Sequence, residues 1–261
     1  MAKHFKEKEK KQKIKKEKTQ GSIEKRIERK SEKKIGIGSK IFLMLFIIIF
    51  LYSAINLFIW LKSNIELEKN EKEIFSQVQT IDDSTENEMK IDFEKLVAIN
   101  QDVKAWINID NTNINYPIVQ TDNNEYYLKR DINKNYSSCG SIFLDCDSSS
   151  DFTDKNTVIY GHNLLNGKMF ADLEKIVNEE LGENVEIEIY TPTQKLEYEI
   201  FSAYVGEANI QMKTNDSYEE ILSKSELDFE YDENIKENNI VTLITCGANS
   251  QNRIVVSGLK K

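Results

Sequence analysis

Val185-Glu186-Ile187-Glu188-Ile189-Tyr190, then Thr191-Pro192-Thr193-Gln194, then Lys195-Leu196-Glu197-Tyr198-Glu199-Ile200 is the stretch that sets the fold class. Val185, Ile187, Ile189 and then Leu196, Tyr198, Ile200 alternate with charged or polar residues. A period of two puts successive side chains on opposite faces of a strand, so each run reads as a strand with one wet face. The Thr-Pro-Thr-Gln run between them supplies the turn of a hairpin. Outward from this hairpin the same chemistry recurs. Ala105–Ile109 and Ile114–Val119 are short strands about the turn Asp110-Asn111-Thr112-Asn113. Ser141–Leu144, Thr157–Tyr160, Ile240–Thr245 and Arg253–Val256 complete the set. Helical spacing appears over 92–100, with Asp92 as its cap, over 169–177, and over 217–227, with Ser217 as its cap. Many short strands with a few inserted helices predict a mostly antiparallel β-barrel.

Further toward the N-terminus the chemistry changes. Ile41–Leu61 holds 21 residues without a charge, between Lys40 and Lys62. At about 1.5 Å per residue such a helix spans roughly 30 Å, a bilayer core. Phe58, Ile59 and Trp60 occupy the place where a cleaved leader would end in small residues, so the segment reads as an uncleaved anchor. Of the 35 Lys/Arg and 44 Asp/Glu in the 261-residue chain, residues 1–40 hold 16 and 6. Positive charge stays cytoplasmic, so the acidic remainder is expected outside the cell. The domain reading is a basic cytoplasmic tail over 1–40, a single-pass anchor over 41–61, a helical or flexible stalk over 62–90, and an extracellular domain over 91–261. The basic tail reads as a topology signal against anionic lipid rather than a nucleic-acid arm.

Composition removes several classes of chemistry. Three Cys and two His rule out a disulfide scaffold, a four-cysteine zinc site and a histidine-rich metal centre. No phosphate-binding glycine motif occurs, and no cofactor or metal is expected. Asp145, Asp147, Asp151 and Asp154 lack the spacing of a calcium loop and read as a solvated acidic turn. Cys139 and Cys146 flank a strand, which holds them too far apart for a disulfide, so both read as free thiols.

Cys246 ends an apolar strand and precedes Gly247, a position suited to a nucleophile. His162 is the single histidine after residue 4, and it follows the 157–160 strand through Gly161. A cysteine nucleophile needs a proton carrier near neutral pH, and in this chain His162 alone supplies one. Arg253, seven residues after Cys246, opens the last strand. Beside a thiol it would stabilise a thiolate or a developing oxyanion.

Tyr160-Gly161-His162-Asn163, then Thr242-Leu243-Ile244-Thr245-Cys246, then Arg253-Ile254-Val255-Val256 resemble the sortases, membrane-anchored cysteine transpeptidases of Gram-positive bacteria. The resemblance covers roughly 90–261. Class B is indicated by Trp106-Ile107-Asn108-Ile109, Asn115–Gln120, Asp122-Asn123 with Tyr126-Tyr127-Leu128, Gly140-Ser141-Ile142-Phe143, and Met169-Phe170. It implies a closed barrel of about eight strands with inserted helices and His162, Cys246 and Arg253 as the catalytic set. By analogy Asn115, Val119, Tyr218 and Thr245 contact the peptide, although the first three equally fit ordinary barrel packing. The implied activity, in the cysteine-peptidase-like class of hydrolases, cleaves a C-terminal sorting motif of a secreted protein through a thioacyl-enzyme. The acyl group then passes to an amine of a peptidoglycan precursor of the lipid II type. A pilin polymerase, using a protein lysine as acceptor, is the alternative, and a non-catalytic surface scaffold a weaker one. An L,D-transpeptidase would carry His beside its Cys, and Cys246 has none. The sequence departs from the class pattern at Ile244, where a Ser is usual, and in its short Cys246–Arg253 interval.

Overall fold

The structure is a computed structural model and describes residues 16, 19–22, 36–82, 88–181, 185–225, 227, 233–246 and 252–261. Most of the basic tail, and residues 247–251 between Cys246 and Arg253, lie outside the described residues. The chain divides into two units, 1–57 and 58–261. In the first, helix α1 (Ile37–Val78) begins, and its apolar part is long and apolar enough to cross a membrane. None of that apolar stretch is buried within the protein.

The second unit holds the rest of α1, the hairpin β1 (Gln79–Asp82) and β2 (Glu88–Ile91), helix α2 (Phe93–Ile99), and the barrel. The barrel strands are β3 (Val103–Ile109), β4 (Asn115–Val119), β5 (Ile142–Leu144), β6 (Asn156–Gly161), β7 (Glu186–Tyr190), β8 (Lys195–Glu207), β9 (Ile240–Cys246) and β10 (Asn252–Lys260). Helix α3 (Leu173–Val177) lies between β6 and β7, and α4 (Tyr218–Leu222) between β8 and β9. The eight strands close in the order β10-β8-β7-β3-β4-β5-β6-β9. Two neighbouring pairs, β4 with β5 and β6 with β9, are parallel, and the rest antiparallel. The β7–β8 hairpin turns at 191–194, where Thr191 N–H donates to the Gln194 carbonyl (2.8 Å).

Strand alternation divides the core. Ile107, Ile118, Ile142, Ile159, Ile187, Leu243 and Val256 belong to the main cluster. Their outward-facing neighbours form two satellites. One joins Trp106, Val119, Tyr127 and Phe143 to Ile74 and Val78 of α1 and Leu96 of α2. The other joins Val158, Phe201, Tyr204, Ile244 and Val255 to Met212 and to Ile221 of α4. Both faces of much of the sheet are therefore covered, which is why β9 reads as a continuous apolar run rather than an alternation.

The segment from 62, read as a helical or flexible stalk, starts within α1. It is helical to Val78, with Ser63, Leu67, Ile74 and Val78 buried. These recur at four and seven residues, one stripe of a helix. Phe75 meets Trp106 edge-on at 5.5 Å, and Lys168 pairs with Glu71 at 2.7 Å. Asp92 caps α2 by accepting from Lys95 N–H at 3.1 Å, and Ser217 caps α4 in a reciprocal capping box with Glu220. The 169–177 helix begins only at Leu173, because Met169 sits at φ 57°, outside the helical region. The 217–227 helix stops at Leu222.

Candidate active site

Three adjacent strands meet at one end of the barrel. Parallel pairing of β6 and β9 sets Gly161 level with Thr245, so His162 follows β6 where Cys246 ends β9. On the other flank of β9, antiparallel pairing sets Arg253 of β10 opposite Cys246. Neighbouring strands lie about 4.8 Å apart. The backbones of His162, Cys246 and Arg253 are thus drawn together although 84 residues of sequence separate the first two. The parallel β6–β9 pair demands a long crossover, and the α3, β7–β8 and α4 segment supplies it.

Packing fixes the His162 approach. A Cβ on Gly161 would come 2.5 Å from Ile142 Cδ1 and 2.7 Å from Phe170 Cδ2, so only glycine lets the chain pass there. The half-buried His162 ring puts Nε2 2.8 Å from the Leu128 carbonyl oxygen, and the His162 carbonyl accepts from Phe170 N–H at 2.9 Å. Arg253 Nε–H donates to the Ala208 carbonyl at 3.3 Å, tying β10 to the turn after β8. Thr245 is buried beside Cys246 in sequence.

Next to this end, a cavity of about 480 Å³ is lined by Asn124, Asp145, Tyr160, Met212 and Lys213 among others. Burial, and then the charge of Asp145, push the Tyr160 hydroxyl pKa up, so it remains a neutral phenol. Behind the strands, Thr242 Oγ1 donates to Asn156 Oδ1 (2.7 Å) and lies 2.9 Å from Ser257 Oγ. Asn156 in turn donates to the Lys213 carbonyl at 3.0 Å, which anchors the far wall of the cavity to β6. A buried amide left without such partners would cost about 1–3 kcal/mol.

The remaining residues named for peptide contact are not gathered here. Val119 is fully buried among Trp106, Tyr127 and Phe143, under the helical layer, the barrel packing that its position equally fits. Asn115 accepts from the Trp106 indole N–H and lines a small pocket of about 40 Å³ beneath α1. Tyr218 stacks on Phe201 at 5.1 Å in the satellite core under α4. Sequence reading passed over Leu128 and Gly140 as functional parts, although both lie in stretches that carry the class B resemblance.

The other two thiols are free. Burial raises the pKa of Cys139, and burial with the charges of Asp145 and Asp147 raises that of Cys146. Asp145, Cys146 and Asp147 lie close together, but Asp145 is engaged by Asn124 Nδ2–H (2.8 Å) and by Asp147 N–H (2.9 Å).

The sortase domain family model matches residues 107–261. A sortase B of Listeria monocytogenes is 32% identical over 196 residues, 69% of this chain and 80% of the relative. The X-ray structure of Clostridium perfringens sortase B is 34% identical, with a TM-score of 0.59 over 65% of this chain and all of the other. A Streptococcus pyogenes class B sortase described as involved in pilus biogenesis is 32% identical, with a TM-score of 0.57 over 65% of this chain and 97% of the other. The chain belongs to the sortase family of cysteine transpeptidases, and its similarity within that family lies with class B.

Proposed function

We propose that this sortase cleaves a C-terminal sorting motif of secreted proteins and transfers them to an amine of the cell-wall peptidoglycan precursor. The observation that carries the reading is the convergence of the ends of β6, β9 and β10, which bear His162, Cys246 and Arg253. In this reading the Cys246 thiolate attacks the scissile carbonyl. Arg253 and backbone N–H groups hold the tetrahedral oxyanion. Protonated His162 gives its proton to the leaving amine, leaving a thioacyl-enzyme. The acceptor amine then attacks the thioester, and the thiol is regenerated. In this reading the peptide approaches along the 480 Å³ cavity beside Tyr160.

The test is acyl transfer by the full chain in detergent. A peptide carrying the sorting motif of a secreted substrate is offered with a peptidoglycan-type amine or with a protein lysine. A covalent acyl-enzyme followed by the peptidoglycan-amine adduct is expected, and peptide release without any amine adduct would sink the transferase reading. The pilus-associated S. pyogenes relative supports the lysine acceptor as the second reading. Preferential lysine adducts would select it.

The apolar part of α1 serves as the membrane anchor in this reading, with the basic tail inside and the domain from 62 onward outside. Protease added to intact protoplasts is expected to remove the domain after Lys62 and to spare an N-terminal tag. A protected C-terminus would reverse the orientation.

A further inference from the structure

Two backbone groups fix the His162 imidazole. Its Nε2 lies 2.8 Å from the Leu128 carbonyl oxygen. A carbonyl oxygen only accepts, so Nε2 carries the hydrogen. The second group is Gly140. A Cβ there would stand 2.8 Å from His162 Cδ2 and 2.9 Å from the Leu128 and Tyr127 carbonyl oxygens. Its φ of +61° is also one that side chains rarely adopt. The Cδ2–Nε2 edge of the ring therefore rests on bare main chain. That main chain is itself pinned: Ser141 N–H donates to the Tyr127 carbonyl (3.0 Å) and Gly140 N–H to the Ser137 carbonyl (3.3 Å).

We propose that Leu128, through its carbonyl, and Gly140 are positioning residues for His162, and that they commit Nδ1 to the proton relay. The inference rests on the acid–base role proposed for His162 above. With Nε2–H held on the carbonyl, the neutral ring leaves Nδ1 bare. The protonated ring carries its transferable proton on Nδ1. When the tetrahedral intermediate collapses, the C–N bond breaks and its electron pair stays on nitrogen. The Nδ1 proton passes to that nitrogen, and the ring returns to neutral with Nε2–H unchanged. Attack by the acceptor amine runs the path backward, with Nδ1 taking the proton the amine loses as the new C–N bond forms. A ring free to flip would present the protonated nitrogen where a base is required for part of the time.

The chain has two histidines, His4 and His162. The full chain with His4→Gln and ¹⁵N-labelled histidine therefore reports on His162 alone. At a pH where the ring is neutral, a one-bond ¹⁵N–¹H coupling on Nε2 and none on Nδ1 is expected. Hydrogen on Nδ1, or an even mixture of tautomers, overturns the proposal, and this spectrum decides even if no variant folds. In Gly140→Ala the second tautomer is expected to appear, with acylation slowed roughly 10- to 100-fold, the scale of an ångström-sized misplacement. A folded Gly140→Ala with the original tautomer and rate would remove Gly140 from the arrangement. His162→Ala separates the two ideas: acylation at the wild-type rate would defeat the acid–base reading and leave the tautomer result untouched.

Discussion

Cys246→Ala is expected to form no thioacyl-enzyme and to transfer no peptide, a loss of roughly 10⁴-fold or more, as when other covalent nucleophiles are removed. Cys139→Ala and Cys146→Ala are expected to retain most of the rate. The difference follows from where each thiol sits. Cys139 is 1% exposed and burial holds its thiol protonated, which disfavours the nucleophilic thiolate. Cys146 lies between Asp145 and Asp147, whose charges also oppose ionisation. Cys246 is the cysteine whose strand position faces an arginine across the ladder. The measurement is mass spectrometry of the intact enzyme after a single turnover with a sorting peptide, with hydroxylamine to release a thioester. An acyl adduct persisting on Cys246→Ala, or a Cys139→Ala enzyme equally dead, would move the nucleophile elsewhere.

Local signals were legible in the sequence, and distant coverings were not. The 185–200 alternation became the β7–β8 hairpin, and the Asp92 and Ser217 caps appear where their side chains demanded. Each of these is decided within a few residues. The docking of α1 was hidden, because Leu67, Ile74 and Val78 are sparse apolar residues in a charged stretch. Their stripe becomes visible only when the helical phase is already known. The β1–β2 hairpin went unread in the same polar stretch. Val119 illustrates the limit in another way. Alternation says that it faces away from Ile118, but not that α1 and α2 cover that outer face. At the site, the ends of β6, β9 and β10 carry side chains with recognisable chemistry. The Leu128 carbonyl contributes main chain, which leaves no mark on residue type. Gly140 left a mark, as a glycine at positive φ, but its neighbour is His162 only through the fold.

Arg253→Ala is expected to slow acylation by roughly 10²–10³ if the guanidinium serves as an oxyanion donor. The structure gives Arg253 a second task to be separated from that one. Its Nε–H donates to the Ala208 carbonyl at 3.3 Å, and β10 pairs Arg253 with Gly206. Losing that hydrogen bond should cost about 0.5–1.5 kcal/mol of stability. In a domain of about 200 residues this lowers the melting temperature by roughly 1–6 °C. A structural anchor alone therefore predicts a small shift in melting and nearly normal turnover once the protein is folded. An oxyanion donor predicts the same small shift with turnover collapsed. Arg253→Lys sharpens the comparison. Lysine keeps the charge as a point but loses the planar fork, which as an oxyanion donor would divide its N–H groups between Ala208 and the reacting carbonyl. Partial recovery of rate is expected, with the melt near that of Arg253→Ala because the lysine cannot reproduce the Nε–H contact. Single-turnover acylation with a fluorogenic sorting peptide, beside a thermal melt of each variant, reads both quantities. Arg253→Ala that melts a few degrees early and acylates at the wild-type rate would leave Arg253 as the anchor of the turn after β8. The oxyanion would then fall to backbone N–H groups alone.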